Sequence, residues 1–307
     1  MKVIITNSQI ELFKECRLKY KFAYLDLLTP KVPSSKLFLG AGIHEGLKAY
    51  YSNQKDLDTA KKSFANYVNT QIKDIENQIE LTDEQLEEIT QANKLGLSML
   101  EEYDKFAKVQ DDFEIVFPEK EFLVPVITPF GHKSTKFMFA GKVDGLVKKN
   151  NAYWLMEHKT TSSVSSGYLS NLVLDEQVTA YIWALQKQEN IEIVGCIYNI
   201  IRKQLPSPKV KNPIVYREQV YRSQKDIADF QTQLHRICLE ISHPAIYRHP
   251  TDDCSWKCAY RTLCIEDTDE ARMQFRIKEK INEELKTISP DKNQGAEKEE
   301  TDGYQNH

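Results

Sequence analysis

A strand, a tight turn and a second strand are legible between residues 134 and 161, and no other stretch constrains the fold as strongly. Ser134 to Lys148 reads as a strand, Lys149-Asn150-Asn151 as the turn, and Ala152 to Thr161 as the partner strand of a hairpin. Side chains two apart on a strand share a face, so Glu157 and Lys159 point the same way. The hairpin places Asp144 on the neighbouring strand, within reach of both. Three charged groups among Phe137, Phe139, Val143, Trp154 and Leu155 are costly to bury without partners. Two carboxylates in one pocket also repel each other unless a cation lies between them. A hard divalent ion such as Mg²⁺, which takes oxygen ligands, removes that conflict. Lys159 would then sit beside an attacking water, placed to stabilise a pentavalent phosphate transition state. Taken alone, the same three residues also read as an ordinary cross-strand ion pair at a sheet edge, worth about 0.2–1 kcal/mol.

The rest of the chain supplies elements on both sides of this hairpin. Ser8 followed by Glu11 suggests a capping box and a helix through about Tyr24, with a loop at Pro30 and Pro33. A second helix runs from about Phe38 to Tyr51 and carries His44. Residues 56–109 are free of proline and read as two long helices broken near Thr82. Strands are expected over 112–127, 192–203 and 214–222, and helices over 174–189 and 224–242. A loop-rich module follows at 243–265, then one charged helix to about Ile288 and a disordered tail from Pro290 to His307. The expected architecture is α/β: a mixed sheet flanked by helices, with a helical insertion at about 56–109. Residues 1–265 form the expected main domain, and 266–307 an appendage.

No run of 18 apolar residues occurs in the 307-residue chain, which excludes a membrane-spanning helix. The first residues lack the apolar core of a signal peptide, so cytoplasm is the expected compartment. The net charge of −4 is unevenly spread. Residues 266–307 hold 12 acids and 7 bases, leaving +1 for the first 265. Residues 1–37 and 199–222 are locally basic, as a phosphate-binding surface or an ordinary solvated face would be.

Six cysteines are present. Cys196 and Cys238 lie in apolar patterns and read as small core residues. Cys254, Cys258 and Cys264 fall within one short loop. A disulfide framework is not expected in cytoplasm, and a tetrahedral soft-metal site needs a fourth ligand. Cys16, on a polar helical stretch, is the natural candidate.

Asp144…Glu157-His158-Lys159 resembles the core of the PD-(D/E)XK nuclease superfamily. Gln177-x-x-x-Tyr181 resembles the motif that follows this core in the RecB-like branch, and an i, i+4 spacing puts both on one helix face. Gly40-Ala-Gly-Ile-His44 resembles that branch's N-terminal helix. The resemblance implies that His44, Asp144 and Glu157 hold Mg²⁺ or Mn²⁺ with the backbone carbonyl of His158. His158 stands where the family usually has an apolar residue, and its side chain is expected to face away from the metal. Lys159 would polarise the attacking water, with Gln177 and Tyr181 orienting it or the substrate phosphate.

One early cysteine plus three late ones is similar to the iron–sulfur nucleases, among them the AddB nuclease domain and the CRISPR-associated RecB-like exonucleases. A 4Fe–4S cluster on Cys16, Cys254, Cys258 and Cys264 is therefore implied, with Zn²⁺ as the rival occupant of the same ligands. The implied function is a metal-dependent DNA exonuclease acting on single strands or duplex ends, in recombination, repair or mobile-element biology. A helicase or an annealing protein is the expected partner, and Lys19, Lys21, Arg202 and Lys203 are candidate contacts to the DNA backbone. The alternatives are a non-catalytic iron–sulfur DNA-binding subunit and a structure-specific endonuclease.

Overall fold

The computed structural model describes residues 2–31, 35–77, 80–209, 212–283, 285 and 287–288. Pro33 of the expected loop and the expected disordered tail lie outside these residues. The chain opens with strand β1 (Val3–Thr6), helix α1 (Asn7–Glu15), the single turn α2 (Arg17–Tyr20), a π-helical turn (Lys21–Leu25) and strand β2 (Leu28–Pro30). Three helices follow, α3 (Ser35–Ser52), α4 (Leu57–Glu76) and α5 (Asp83–Gln110). Strands β3 (Glu114–Ile127), β4 (Lys133–Lys149) and β5 (Ala152–Thr161) lead to the short helix α6 (Ser166–Asn171) and to α7 (Glu176–Glu189). Then come β6 (Ile193–Arg202), β7 (Val215–Tyr221), α8 (Gln224–Ser242), the short helices α9 (Arg261–Ile265) and α10 (Asp269–Arg272), and strand β8 (Phe275–Ile277).

Six strands form one mixed sheet in the order β1-β4-β5-β6-β7, with β3 on the other edge of β4. β1 is parallel to β4 and β5 to β6, while β3, β5 and β7 run antiparallel to their partners β4, β4 and β6. The β4–β5 turn has the signature of its sequence: Asn150 and Asn151 both have positive φ, 50° and 61°, as the mirror-image turn that matches strand twist requires. Each face of the sheet carries its own core. One holds Ile10, Phe13, Phe139, Trp183, Leu185 and Leu234, from α1, α7 and α8 against the sheet. The other holds Ile43, Phe64, Met99 and Tyr103, from α3, α4 and α5, against Met156 and Ile197. The helical segment 56–109 thus builds one of the two cores.

Thr82 caps α5 with a full capping box, and Asp56 caps α4. Gly96 in α5 lies against the buried Phe64 ring, and a Cβ there would stand 2.1 Å from the ring tip. Alanine normally gains up to about 1 kcal/mol over glycine in a helix, but Phe64 is fully enclosed and overpacking costs about 1–3 kcal/mol. Gly96→Ala is expected to lower stability by about 1–2 kcal/mol, read from urea melts with an unchanged slope. A gain would mean that the ring yields.

The structure departs from the sequence reading at both ends. The first helix is capped by Thr6, whose side chain accepts from Gln9 N, and it starts at Asn7. It does not continue to Tyr24. Cys16 is extended (φ −159°, ψ 121°) and breaks the helix, with Leu18 N bonded to Tyr247 O instead. Among the described residues after Glu266, the single charged helix expected there is replaced by the short α10 and the strand β8. Phe275 stacks on Tyr260 at 5.3 Å, and β8 pairs antiparallel with β2. Burial of one aromatic ring and a two-strand ladder outweigh the helical composition of the segment.

Candidate active site

Strand β4 makes the site by having two neighbours on one edge. β3 pairs along the opposite edge for most of its length. On the near edge β1 pairs with Phe137–Ala140, and β5 pairs only from Gly145 onward. Past Met156, β5 leaves β4 and continues on β6 alone. The two strands therefore fork, and Asp144 and Glu157, each one step beyond the last shared rung, stand on the two sides of the opening. The His158 backbone N–H donates to Asp144 Oδ2 at 2.8 Å and holds the fork together at its base.

Two helices bring the remaining groups. His44, on α3, places Nδ1 2.8 Å from Asp144 Oδ1. Asp175 caps α7 through Val178 N, which turns Gln177 and Tyr181 toward β5. Lys159 Nζ donates to Gln177 Oε1 at 2.6 Å and lies 3.1 Å from Glu157 Oε1 and 3.4 Å from Asp175 Oδ2. Gln177 Nε2 donates to Tyr181 Oη at 3.2 Å. His44, Asp144, Glu157, Gln177 and Tyr181 line one cavity of about 940 Å³.

Burial sets the charges. Glu157 is 3% exposed, and desolvation pushes its carboxyl above the ordinary range; Asp144 adds to this and Lys159 opposes it. Asp144 goes the other way. Burial opposes its charge, but His44 and the His158 N–H outweigh burial and hold it well below the usual range. Lys159 is desolvated too, yet Glu157 and Asp175 keep it firmly protonated. Burial holds the Tyr181 phenol well above its ordinary value. The pocket thus gathers two carboxyl groups, the Lys159 ammonium and the His44 imidazole, whose proton Asp144 favours against burial; a bound cation would take the place of that proton. Asp144, Glu157 and the His158 carbonyl offer oxygen, and His44 offers nitrogen, a donor set suited to Mg²⁺ or Mn²⁺.

The His158 ring lies on the opposite face of β5, as the strand period requires. It stacks on Tyr51 (5.9 Å, 12°) and its Nδ1 lies 3.3 Å from Asn199 Nδ2. Burial lowers its pKa to about 4, so the ring is neutral. Behind it Arg217 ties Asn199 (2.8 Å) to Asp111 (2.6 Å), and Tyr51 joins Tyr103 and Asp111.

Sequence reasoning passed over Asp175, Lys142 and the C-terminal residues Arg276, Lys280 and Glu283, which line the cavity or touch Lys159. Asp175 carries a readable signal, since it stands two residues before Gln177 and caps its helix. The others arrive from distant elements. Of the expected DNA contacts, none lines this cavity. Lys19 pairs with Glu15 and Lys21 with Asp26. Arg202 bonds the carbonyls of Asn212 and Pro213, and Lys203 N bonds Thr161 O.

Cys16, Cys254, Cys258 and Cys264 line a second cavity, of about 220 Å³, with Lys19, Arg248, His249 and Arg261. All six cysteines are free, and Cys196 and Cys238 are buried in the core. The break at Cys16 and the bond between His249 Nδ1 and Glu15 O (2.9 Å) seat the N-terminal thiol against the module. Among the described residues no three His, Cys, Asp or Glu side chains converge closely enough to hold a single ion as they stand, neither these cysteines nor His44, Asp144 and Glu157, where His44 is bonded to Asp144 instead.

The family model of the PD-(D/E)XK nuclease superfamily matches residues 5–265. The chain belongs to that superfamily. Two solved structures are similar at low identity. A protein from Eubacterium rectale provisionally named an exonuclease has a TM-score of 0.44 and 11% identity, covering 83% of this chain and 93% of its own. The protein SSO0001 has a TM-score of 0.34 and 15% identity, covering 58% of this chain and 74% of its own. No curated protein matches the sequence. No described helix is long and apolar enough to cross a membrane.

Proposed function

We propose that this PD-(D/E)XK protein is a Mg²⁺- or Mn²⁺-dependent DNA exonuclease of the RecB-like kind, acting on single strands or duplex ends in recombination, repair or mobile-element biology. The observation that carries the reading is the continuous set of contacts from His44 through Asp144 to the His158 N–H, facing Glu157, Lys159, Gln177 and Tyr181 across the fork. An ordinary sheet-edge ion pair has no need of a helix-borne histidine on one carboxylate and a helix-borne amide on the lysine.

Asp144, Glu157, the His158 carbonyl and His44 are the residues that would hold the ion. Bound there, it supplies Lewis acidity to the scissile phosphate. Asp144 is already ionised. Lys159, held protonated, orients the attacking water and offsets the charge that builds on the phosphate oxygens. Gln177 fixes the ammonium group, and Tyr181 fixes Gln177. Recognition of the DNA backbone by Lys142 and Lys280, which line the cavity, extends this reading. A helicase or annealing protein as partner belongs to the same proposal.

A 4Fe–4S cluster on Cys16, Cys254, Cys258 and Cys264 is proposed as well. The four free thiols line one cavity, of about 220 Å³, together with Lys19, Arg248, His249 and Arg261. A lone tetrahedral Zn²⁺ would need all four sulfurs about 2.3 Å from one point.

The test is release of nucleotides from end-labelled single- and double-stranded DNA with Mg²⁺ or Mn²⁺. An inert, folded and iron-loaded wild type would end the proposal. Glu157 provides a second check without cleavage. Its raised pKa means that the ionised form is disfavoured in the fold, a cost present above the ordinary carboxylate pKa of about 4.5 and absent below it. In EDTA at pH 8, Glu157→Gln is expected to melt several degrees above wild type, with no difference at pH 4. Added Mg²⁺ is expected to raise the wild-type melting temperature and leave the variant unmoved, since an ion at 100 times its Kd adds about 2.7 kcal/mol. Equal shifts in both proteins would remove Glu157 from the ion's ligands.

A further inference from the structure

We propose that Asp111, Arg217 and Asn199 form a positioning chain that acts through the His158 ring on the ion-binding end of the fork; this rests on the nuclease reading above. The chain follows the sheet. His158 on β5 faces Asn199 on β6, and Asn199 faces Arg217 on β7, so one polar row crosses three strands. Arg217 Nε donates to Asn199 Oδ1 at 2.8 Å, Nη2 to Asp111 Oδ1 at 2.6 Å and Nη1 to the Gln110 carbonyl at 2.8 Å. Asp111 ends α5, and its Oδ2 accepts from Tyr51 Oη at 3.1 Å and lies 2.8 Å from Lys55 Nζ. Tyr51 in turn stacks on His158. The contacts close into a circuit that returns to Asp111 and joins α3 and α5 to strands β5, β6 and β7.

The bonds along the row run in one direction. Arginine only donates, so Asn199 receives it on Oδ1 and turns Nδ2 toward His158 Nδ1, 3.3 Å away. Nδ1 must accept. The ring hydrogen then sits on Nε2, a buried atom with no hydrogen-bond partner among the described residues, and the Tyr103 ring stands perpendicular to the imidazole. An apolar side chain at this position would fill the same space and could not be aimed. Aim matters because β5 has no β4 beside it past Met156. There one bond replaces the ladder, from the His158 N–H to Asp144, and the carbonyl of the same residue is one of the oxygens offered to the ion. The row restrains this peptide from the β6 side, where Asn199 is fully buried. Tyr51 carries the restraint to His44. The two stand seven residues apart on α3, about two turns, and so share a face. The His44 and His158 rings are 6.1 Å apart, so the stack that seats Tyr51 also sets the approach of His44 to Asp144.

Two measurements on the full chain test this, one without metal and one by Mn²⁺ titration. Proton–nitrogen correlation spectra of the imidazole near neutral pH are expected to show wild-type His158 in the Nε2–H form alone. Arg217→Met, which leaves the Asn199 amide free to turn, is expected to show both forms. A mere structural tie between α5 and β7 would not move that signal. Mn²⁺ binding, read from the electron paramagnetic resonance of the free ion, is expected to weaken about 10–100-fold in Arg217→Met and in His158→Phe, as when a metal ligand loses an outer partner. The double variant is expected to lose no more than either alone, because residues that act through one another are not additive. Cys238→Ser, in the core on the other face of the sheet, is expected to keep its Mn²⁺ affinity within about twofold, as distant sites do. The Nδ1–H form in wild type, an unchanged affinity in His158→Phe, or losses that add in the double variant each overturn the chain. Mn²⁺ binding that Glu157→Gln leaves untouched removes the nuclease site together with the chain. A Glu157-dependent site that ignores both chain variants removes the chain alone.

Discussion

Lys159→Ala is expected to lower metal-dependent DNA cleavage by about 10³-fold while leaving the ion in place. The reasoning starts from the three contacts of the ammonium group. Lys159 lies 3.1 Å from Glu157, 3.4 Å from Asp175 and 2.6 Å from Gln177, so one cation is shared by two carboxylates and positioned by an amide. Removing a preorganised positive donor from a water-poor site typically costs 10²–10³ in rate, about 3–4 kcal/mol. The same removal makes the pocket more negative, so Mg²⁺ is expected to stabilise the variant at least as much as wild type. Asp144→Asn is expected to lose both rate and metal-induced stabilisation. The contrast separates a lysine that acts on the reacting phosphate from one that merely holds the fork. Lys159→Arg is not expected to restore activity, because a planar guanidinium cannot occupy the point-charge position between Glu157 and Asp175. A Lys159→Ala protein that cleaves at wild-type rate, or one that no longer responds to Mg²⁺, contradicts this assignment.

What the sequence made legible divides along a physical line. Local signals were sufficient where one segment settles its own structure. Asn150-Asn151 accepts positive φ and fixes the hairpin register, so Glu157 and Lys159 share a face with Asp144 one strand away. The helix break expected near Thr82 falls where Thr82 and Gln85 close a capping box, whereas the box expected at Ser8 and Glu11 does not form because Thr6 caps that helix. Gln177 and Tyr181, four apart on α7, meet Lys159 as their spacing allows. The fork itself was not legible, because it arises from β1 taking the edge of β4 that β5 leaves. That competition links residues more than 130 positions apart. Cys16 misled for a related reason: its neighbours favour helix, but bonds from the 247–249 loop pull the backbone into an extended form. The segment after Glu266 has helical composition, and its fate was decided by the Tyr260 ring and the free edge of β2. Both misreadings sit where the two ends of the chain meet.

That meeting place makes the cysteines the next most consequential test. Apart from the two cores of the sheet, a small cluster packs Phe22 and Leu28 from the N-terminal side against Tyr260, Leu263 and Phe275, with Cys258 and Cys264 beside them. A cross-link from Cys16 to Cys254 through a bound group closes a loop of more than 200 residues, worth about 5 kcal/mol when the unfolded chain carries it too. Cys258→Ser is therefore expected to lose its iron and inorganic sulfide on anaerobic purification, along with the visible absorbance of the wild type. It is also expected to melt at least 10 °C lower and to be cut by protease first within 243–265. Cys238→Ser, in the sheet core, is expected to lose stability without losing iron, which distinguishes ligand loss from general damage. Zinc in stoichiometric amount with no sulfide in the wild type would assign the four cysteines to a single ion. An unchanged iron content in Cys258→Ser would remove that residue from the ligand set.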